Sequence, residues 1–211
     1  MSKPYDPRDR FYKRAKQEGF RARSAYKLQE IARRFGLFQK GQKVLDLGAA
    51  PGGWLQVIAA EVGPAGLVVG ADLERIAGGL PPQVKTLVLD LRDPAAPARL
   101  REFAPRYDVV TSDMAPKTTG VRETDEARSL ELVGLALEVA REQLVPGGSF
   151  VAKVFEGGDF EELLAEVRRS FAKVRLVRPE ATRDRSREIF VVGQGLMRQA
   201  GATEGGEPPA R

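Results

Sequence analysis

The sequence predicts an α/β protein built on a seven-stranded, mostly parallel sheet with an antiparallel last strand. Three observations predict it. Val44-Leu45-Asp46-Leu47 runs into Gly48-Ala49-Ala50-Pro51-Gly52-Gly53, and Leu55, Ile58, Ala59 and Val62 then recur at helical spacing, so strand, glycine-rich turn and helix follow one another. The strand-like runs 67–72, 84–90 and 107–113 close on Asp72, Asp90 and Asp113, and ligands of open α/β sheets sit at the carboxyl ends of the strands. The runs 173–177 and 189–192 have no helix between them, which implies antiparallel pairing in place of a right-handed crossover.

The chain of 211 residues is 42% hydrophobic, enough for one well-cored α/β domain and too little for two large ones. With no Cys and no His it has no disulfides, no zinc–thiolate site and no cysteine nucleophile, and it lacks the commonest general base; no metal is expected. There is no run of about 18 apolar residues and no hydrophobic signal region, so a cytoplasmic protein away from membranes is expected. The net charge of +5 is unevenly spread. Residues 1–43 hold 13 Lys/Arg against 4 Asp/Glu, whereas the rest of the chain holds 21 against 25. A basic, helical N-terminal segment (1–43) beside a nearly neutral core (44–195) suits a polyanionic partner such as RNA. A solvated basic helix that only aids solubility is the plainer reading of the same asymmetry.

Taken in order, Pro4 and Pro7 keep residues 1–8 out of a helix. A short helix over 9–18 interleaves Phe11 and Tyr12 with Arg8, Arg10, Lys13, Arg14 and Lys16, and Arg23 follows; such a mixture suits phosphates and stacked bases. Ser24 is placed to cap a helix over 25–35 with the apolar stripe Ala25, Leu28, Ile31, Ala32 and Phe35, ended by Gly36. Lys27 lies on the flank of this stripe, where a solvated charge is the ordinary expectation. Residues 94–104 read as a short helix, and 114–124, with Pro116 and Gly120, as a loop long enough to form part of a substrate lid. A helix over 125–144 turns Leu130, Val133, Leu137 and Leu144 inward until Pro146-Gly147-Gly148 breaks it.

The strand over 149–155 carries Lys153 inside Phe150-Val151-Ala152-Lys153-Val154-Phe155, where a charge is out of place unless that face opens on a cleft. An amphipathic helix over 159–171 precedes the last two strands, whose connection contains Arg178, Arg183, Arg185 and Arg187. The tail 196–211, ending GATEGGEPPAR, has no core-forming end and is expected to be disordered.

The glycine loop is not the dinucleotide fingerprint, because position 50 is Ala where G-x-G-x-x-G requires Gly. Small residues let a ligand approach the backbone, and the following helix offers unpaired N–H groups. Asp46 and Asp72 suggest a ligand with a cationic end and a ribose, and S-adenosylmethionine has both, with Asp72 accepting from the ribose hydroxyls.

The stretches RARSAYKLQEI, VLDLGAAPGGW, SDMAP, VAKVF and SREIFVV together resemble the FtsJ/RrmJ family of ribose 2′-O-methyltransferases over about residues 8–195. The resemblance implies a Rossmann-like S-adenosylmethionine-dependent methyltransferase fold. It matches the family's Lys-Asp-Lys-Glu catalytic tetrad to Lys27, Asp113, Lys153 and Glu188, and its cofactor contacts to Gly52, Trp54, Asp72, Asp90 and Asp113. It is greatest to the bacterial members acting on 23S ribosomal RNA, which implies a uridine of the A-loop as target and the large-subunit rRNA or 50S subunit as partner of a monomeric enzyme. Neutralising a lysine at pH 7 costs about 4.6 kcal/mol, so Lys153 is either a base relieved of that cost by its surroundings or a cation that orients the 2′-oxygen.

Other readings remain distinguishable. A cytosine-5 transferase needs a Cys, and an amino-directed base methyltransferase usually shows Asn/Asp-Pro-Pro-aromatic where this chain has Ser112-Asp113-Met114-Ala115-Pro116. The altered glycine loop and antiparallel end disfavour a nicotinamide dehydrogenase. Methylation of another RNA such as tRNA, or a non-catalytic RNA chaperone keeping the cofactor pocket, stays open, and single-turnover methyl transfer separates the chaperone from an enzyme.

Overall fold

The computed structural model describes residues 10–117, 119–183 and 186–197. Arg8, Arg185 and the tail from residue 198 onward therefore lie outside the described residues. In chain order the elements are α1 (Arg10–Gln17), α2 (Ala25–Phe35), β1 (Lys43–Leu47), α3 (Gly53–Val62), β2 (Leu67–Asp72), β3 (Val84–Val88) and α4 (Ala96–Arg101). They continue with β4 (Tyr107–Ser112), α5 (Arg122–Gln143), β5 (Leu144–Phe155), α6 (Phe160–Ser170), β6 (Phe171–Val177) and β7 (Glu188–Leu196).

Successive strand residues point to opposite faces, and here both faces are apolar. Val44, Val68, Val109, Val151, Phe190 and Val192 pack against α2 and α3, while Leu45, Val69, Val110, Phe150, Val154 and Val191 pack against α4, α5 and α6. The result is a three-layer α/β/α sandwich. The sheet has the order β3-β2-β1-β4-β5-β7-β6, and only β7 runs against its neighbours. The strand order changes direction at β1, between β2 and β4, which opens a crevice beyond the carboxyl ends of these strands. On the other side, β7 inserts between β5 and β6, so the reversed strand lies inside the sheet and brings its first residue beside the end of β5.

Several local expectations are corrected. Ser24 has helical dihedrals (φ −62°, ψ −17°) and no side-chain cap, since a capping serine needs an extended backbone to swing its oxygen over the first turn. Its carbonyl instead accepts the N–H of Lys27 at 3.0 Å. Pro146-Gly147-Gly148 does not separate helix from strand: Leu144 already pairs with Tyr107 and the next pair is Val109 with Ser149, so the segment is a bulge within β5. β3 and β4 stop at Val88 and Ser112, which leaves Asp90 and Asp113 in the loops just past the strands. The helix expected from residue 125 starts at Arg122.

Candidate active site

At the β1/β4 crevice lies a cavity of about 330 Å³ whose lining includes Gly48, Ala50, Asp72, Asp90, Asp113 and Met114. The glycine loop shapes it through contact distances. A Cβ on Gly48 would lie 2.6 Å from the Met114 side chain, and its φ of +71° is one that L side chains rarely adopt. Asp72, the last residue of β2, locks the loop: its carboxylate accepts the N–H of Ala50 at 2.8 Å and the N–H of Glu74 at 2.8 Å. The Asp90 carboxylate accepts the N–H of Arg92 at 2.9 Å. Three carboxylates on one small cavity suit a cationic ligand, and the close approach at Gly48 leaves backbone rather than side chain on that wall, so the residues present fit S-adenosylmethionine.

Of the cofactor residues expected from sequence, the cavity brings together Asp72, Asp90 and Asp113 and leaves out Gly52 and Trp54. The Trp54 indole is buried in the layer between α2, α3 and the sheet, and its Nε1–H donates to the carbonyl of Ser24 at 3.0 Å. Asp46 is also outside the lining. It is fully buried, accepts from Thr111 Oγ1 at 2.7 Å, and its other oxygen has no protein partner among the described residues. Burial pushes its carboxyl well above the usual carboxylate range, against the Thr111 hydrogen bond and with the help of the Asp113 and Asp72 charges.

Beside the cavity two ion pairs are sunk into the α2/α3 face of the sheet. Lys153 Nζ donates to the Asp113 carbonyl at 2.7 Å and to its carboxylate at 2.8 Å. Lys27, from the first turn of α2, donates to the Glu188 carboxylate. Lys27, Lys153 and Glu188 are each 8% exposed, so the solvated charge expected at position 27 is in fact a buried one. Strand register explains the clustering: Lys153 pairs with Phe190 and Phe155 with Glu188, so on this face Glu188 sits diagonally beside Lys153. Removing one partner of such a pair strands a charge and costs about 3–5 kcal/mol, whereas the intact pair is close to neutral for stability. The four residues matched to the tetrad thus come together as two bonded pairs.

Two features escape sequence reasoning. Arg21 donates from its guanidinium to the carbonyls of Pro51 (3.2 Å), Ala77 (2.7 Å) and Gly78, strapping the glycine loop to the segment after β2. Gln56 of α3 grips both sides of it, accepting from Arg21 N–H at 2.8 Å and donating to Gly19 O at 2.9 Å. Glu126 of α5 takes Arg122 at 2.8 Å and also Arg187, the residue before Glu188. The Arg122 hydrogen bond, ahead of that from Arg187, holds its carboxyl below the usual range. The Arg122–Glu126 spacing is legible in sequence as an i,i+4 pair; the Arg21 and Arg187 contacts span chain distances that carry no local signal.

On the N-terminal segment, Arg10, Lys13, Arg14 and Lys16 are exposed on α1. Arg14 is committed to Glu18 at 2.7 Å and lies over the Tyr26 ring. Arg23 donates to the carbonyl of Ala181, tying this segment to the arginine-bearing connection before β7.

A family model for FtsJ-like methyltransferases matches residues 20–196. Ribosomal RNA large subunit methyltransferase E of Anaeromyxobacter sp. (strain Fw109-5) is 56% identical over 201 residues, which cover 95% of this chain and 73% of that protein. The protein of the same name from Myxococcus xanthus (strain DK1622) is 53% identical over 201 residues, 95% of this chain and 93% of that one. Among solved structures, one described as a ribosomal RNA methyltransferase from Plasmodium falciparum matches with a TM-score of 0.75 at 23% identity, covering 85% of this chain and 100% of its own. Human methyltransferase-like protein 13 in complex with SAH matches with a TM-score of 0.58 at 17% identity, covering 83% and 84%. At these identities the structural likeness carries the fold alone, the Rossmann-like fold of S-adenosylmethionine-dependent methyltransferases. By the family match and the identities to curated relatives, the chain belongs to the FtsJ-like methyltransferase family.

Proposed function

We propose that this protein methylates a ribose 2′-OH of large-subunit ribosomal RNA, at a uridine of the 23S A-loop during assembly of the 50S subunit, acting in the cytoplasm as a monomer. The observation that carries the reading is the buried Lys153 side chain, bonded through Asp113 to the rim of the cavity. An ammonium has three N–H donors. Two reach Asp113, and among the described residues nothing takes the third, which is left for an incoming oxygen.

S-adenosyl-L-methionine, when bound, supplies a methyl group already activated on a sulfonium. Asp72, Asp90 and Asp113 give the cavity the charge to hold this cation, and Gly48 leaves the glycine-loop wall open to its close approach. Lys153 donates to the 2′-oxygen and holds it so that a lone pair, not the O–H, faces the methyl group. The methyl group would pass from the sulfonium to that oxygen, leaving a neutral thioether, and the hydroxyl proton would be released to solvent. Lys27 and Glu188 fix the wall beside Lys153, so alignment is the main contribution of the protein. Residues 1–43 hold RNA phosphates through Arg10, Lys13 and Lys16, with Arg8 just ahead of them, and residues 44–195 perform the transfer.

The test uses large ribosomal subunits from cells lacking this protein, radiolabelled S-adenosyl-L-methionine and mapping of the label by resistance of the labelled linkage to alkali. Label at one 2′-oxygen of large-subunit rRNA is expected. Label on a base, or on tRNA in preference to the subunit, would overturn the substrate assignment.

A further inference from the structure

We infer that the Trp54 side chain is a positioning residue for the Lys27–Glu188 ion pair. The inference rests on the proposed function for its kinetic arm only. Trp54 belongs to the glycine loop and cofactor helix by sequence, yet its indole turns away from the cavity and is 2% exposed. It contacts a neighbour of each end of the pair. Its Nε1–H donates to Ser24 O at 3.0 Å, the same carbonyl that receives the Lys27 N–H at 3.0 Å and so closes the turn from which Lys27 projects. Its ring lies 5.9 Å from that of Phe190, two residues after Glu188 on the same face of β7 and the register partner of Lys153.

The geometry solves a problem that the fold creates. Lys27 and Glu188 are 161 residues apart, on a helix laid over the sheet and on the one reversed strand, so no shared element holds them in register. Both are buried, and a misaligned buried pair loses the attraction that offsets desolvation. Trp54 ties the helix end through a directed hydrogen bond and the strand end through ring packing. A side chain needed only for volume would not depend on the N–H donor.

The chain has a single tryptophan, so biosynthetic replacement by β-(3-benzothienyl)alanine alters position 54 alone, exchanging the N–H for sulfur at nearly unchanged size. Trp54→Phe is the second variant, keeping a ring but losing the donor. Three quantities are measured on the full chain: the Kd for S-adenosylhomocysteine by calorimetry, the single-turnover rate on undermethylated large subunits, and the coupling between Lys27 and Glu188 from a Lys27→Gln/Glu188→Gln double-mutant cycle followed by urea unfolding. Loss of the donor should at least halve that coupling and slow transfer by about tenfold, with Kd within about twofold of the unmodified protein. An unchanged coupling overturns the inference whether or not methyl transfer occurs. A Kd that weakens in step with the rate overturns it in favour of a cofactor contact. If the unmodified protein transfers no methyl group to ribose, the proposed function fails, while the coupling measurement still decides the role of Trp54.

Discussion

The two halves of the sheet use charge in opposite ways. In the parallel half, around β1, β2 and β4, three carboxylates stand on or beyond strand ends, are held by backbone N–H groups or Lys153, and face an open cavity. In the half ordered β5-β7-β6, Lys153 lies inside a strand and Glu188 begins one, and each of the two lysines involved is matched to a carboxylate in a nearly dry layer. The difference follows from topology. A parallel sheet presents its functional groups from loops past the carboxyl ends, so binding groups there can be traded at small cost to the core. Inserting a reversed strand lets residues near a strand's start meet residues near the end of its neighbour, which places charges in the sheet itself and demands pairing. Binding belongs to the first half and alignment to the second.

The largest effect expected from disturbing this contrast is on the alignment half. Lys27→Met should destabilise by about 3–5 kcal/mol in urea unfolding because Glu188 is left buried and unpaired, and adding Glu188→Gln should return a large part of the loss. A single-mutant cost of a surface charge change, under about 0.5 kcal/mol, would mean that the pair is solvated in solution. Next, Asp72→Ala removes acceptors for two loop N–H groups together with a cavity charge. Calorimetric affinity for S-adenosylhomocysteine should fall by about 30- to 100-fold with little change in unfolding midpoint. Arg21→Met, which cuts the strap but no cavity charge, should raise the KM for S-adenosyl-L-methionine by about tenfold and leave kcat nearly constant. An equal fall in kcat would put Arg21 in the alignment half instead.

Two smaller effects lie at the margins of the two halves. Replacing Arg10, Lys13 and Lys16 with Gln should lower the slope of log K for RNA against log salt by about 0.7–0.9 for each phosphate that is no longer neutralised, without altering cofactor Kd. An unchanged slope would return α1 to a helix that serves solubility. Asp46 offers a pH signature. Its folded carboxyl is raised by burial, so between the unfolded value near about 3.9 and that raised value the folded state binds more protons, and stability declines as pH rises. Asp46→Asn keeps an acceptor for Thr111 and removes the titration, so its thermal midpoint should gain on the unmodified protein as pH rises above about pH 4. A gap that shrinks over that range would mean Asp46 is ionised and paired in the fold.

What the sequence made legible was whatever is encoded by periodicity and punctuation. The α2 stripe and its left-handed Gly36 cap, the acid that closes β2, the antiparallel end of the sheet and the burial of Lys153 all have local causes. Contacts that depend on distant partners were not legible. Lys27 reads as a flank charge because Glu188 is 161 residues away, and Arg21 reads as one more basic residue because the carbonyls it straps belong to two separate loops. Pro146-Gly147-Gly148 has the composition of a helix stop, yet one pair at Leu144 draws it into β5 as a bulge. The insertion of β7 between β5 and β6 depends on which apolar edge is free once the other strands have paired, which no single segment records.

The separation of binding from alignment turns on Lys153. Single-turnover methyl transfer to undermethylated large subunits and calorimetry with S-adenosylhomocysteine should be run side by side on Lys153→Ala and Lys153→Arg. Lys153→Ala should lose at least about a thousandfold in rate while Kd stays within about twofold. Lys153→Arg should keep measurable activity because a cation still holds the 2′-oxygen. Inactive Lys153→Arg together with a wild-type rate that climbs steeply from about pH 7 to pH 9 would make Lys153 a base rather than an orienting cation. Near-normal turnover by Lys153→Ala, or a loss of rate matched by an equal loss of cofactor affinity, would overturn the division of the sheet into a binding half and an aligning half.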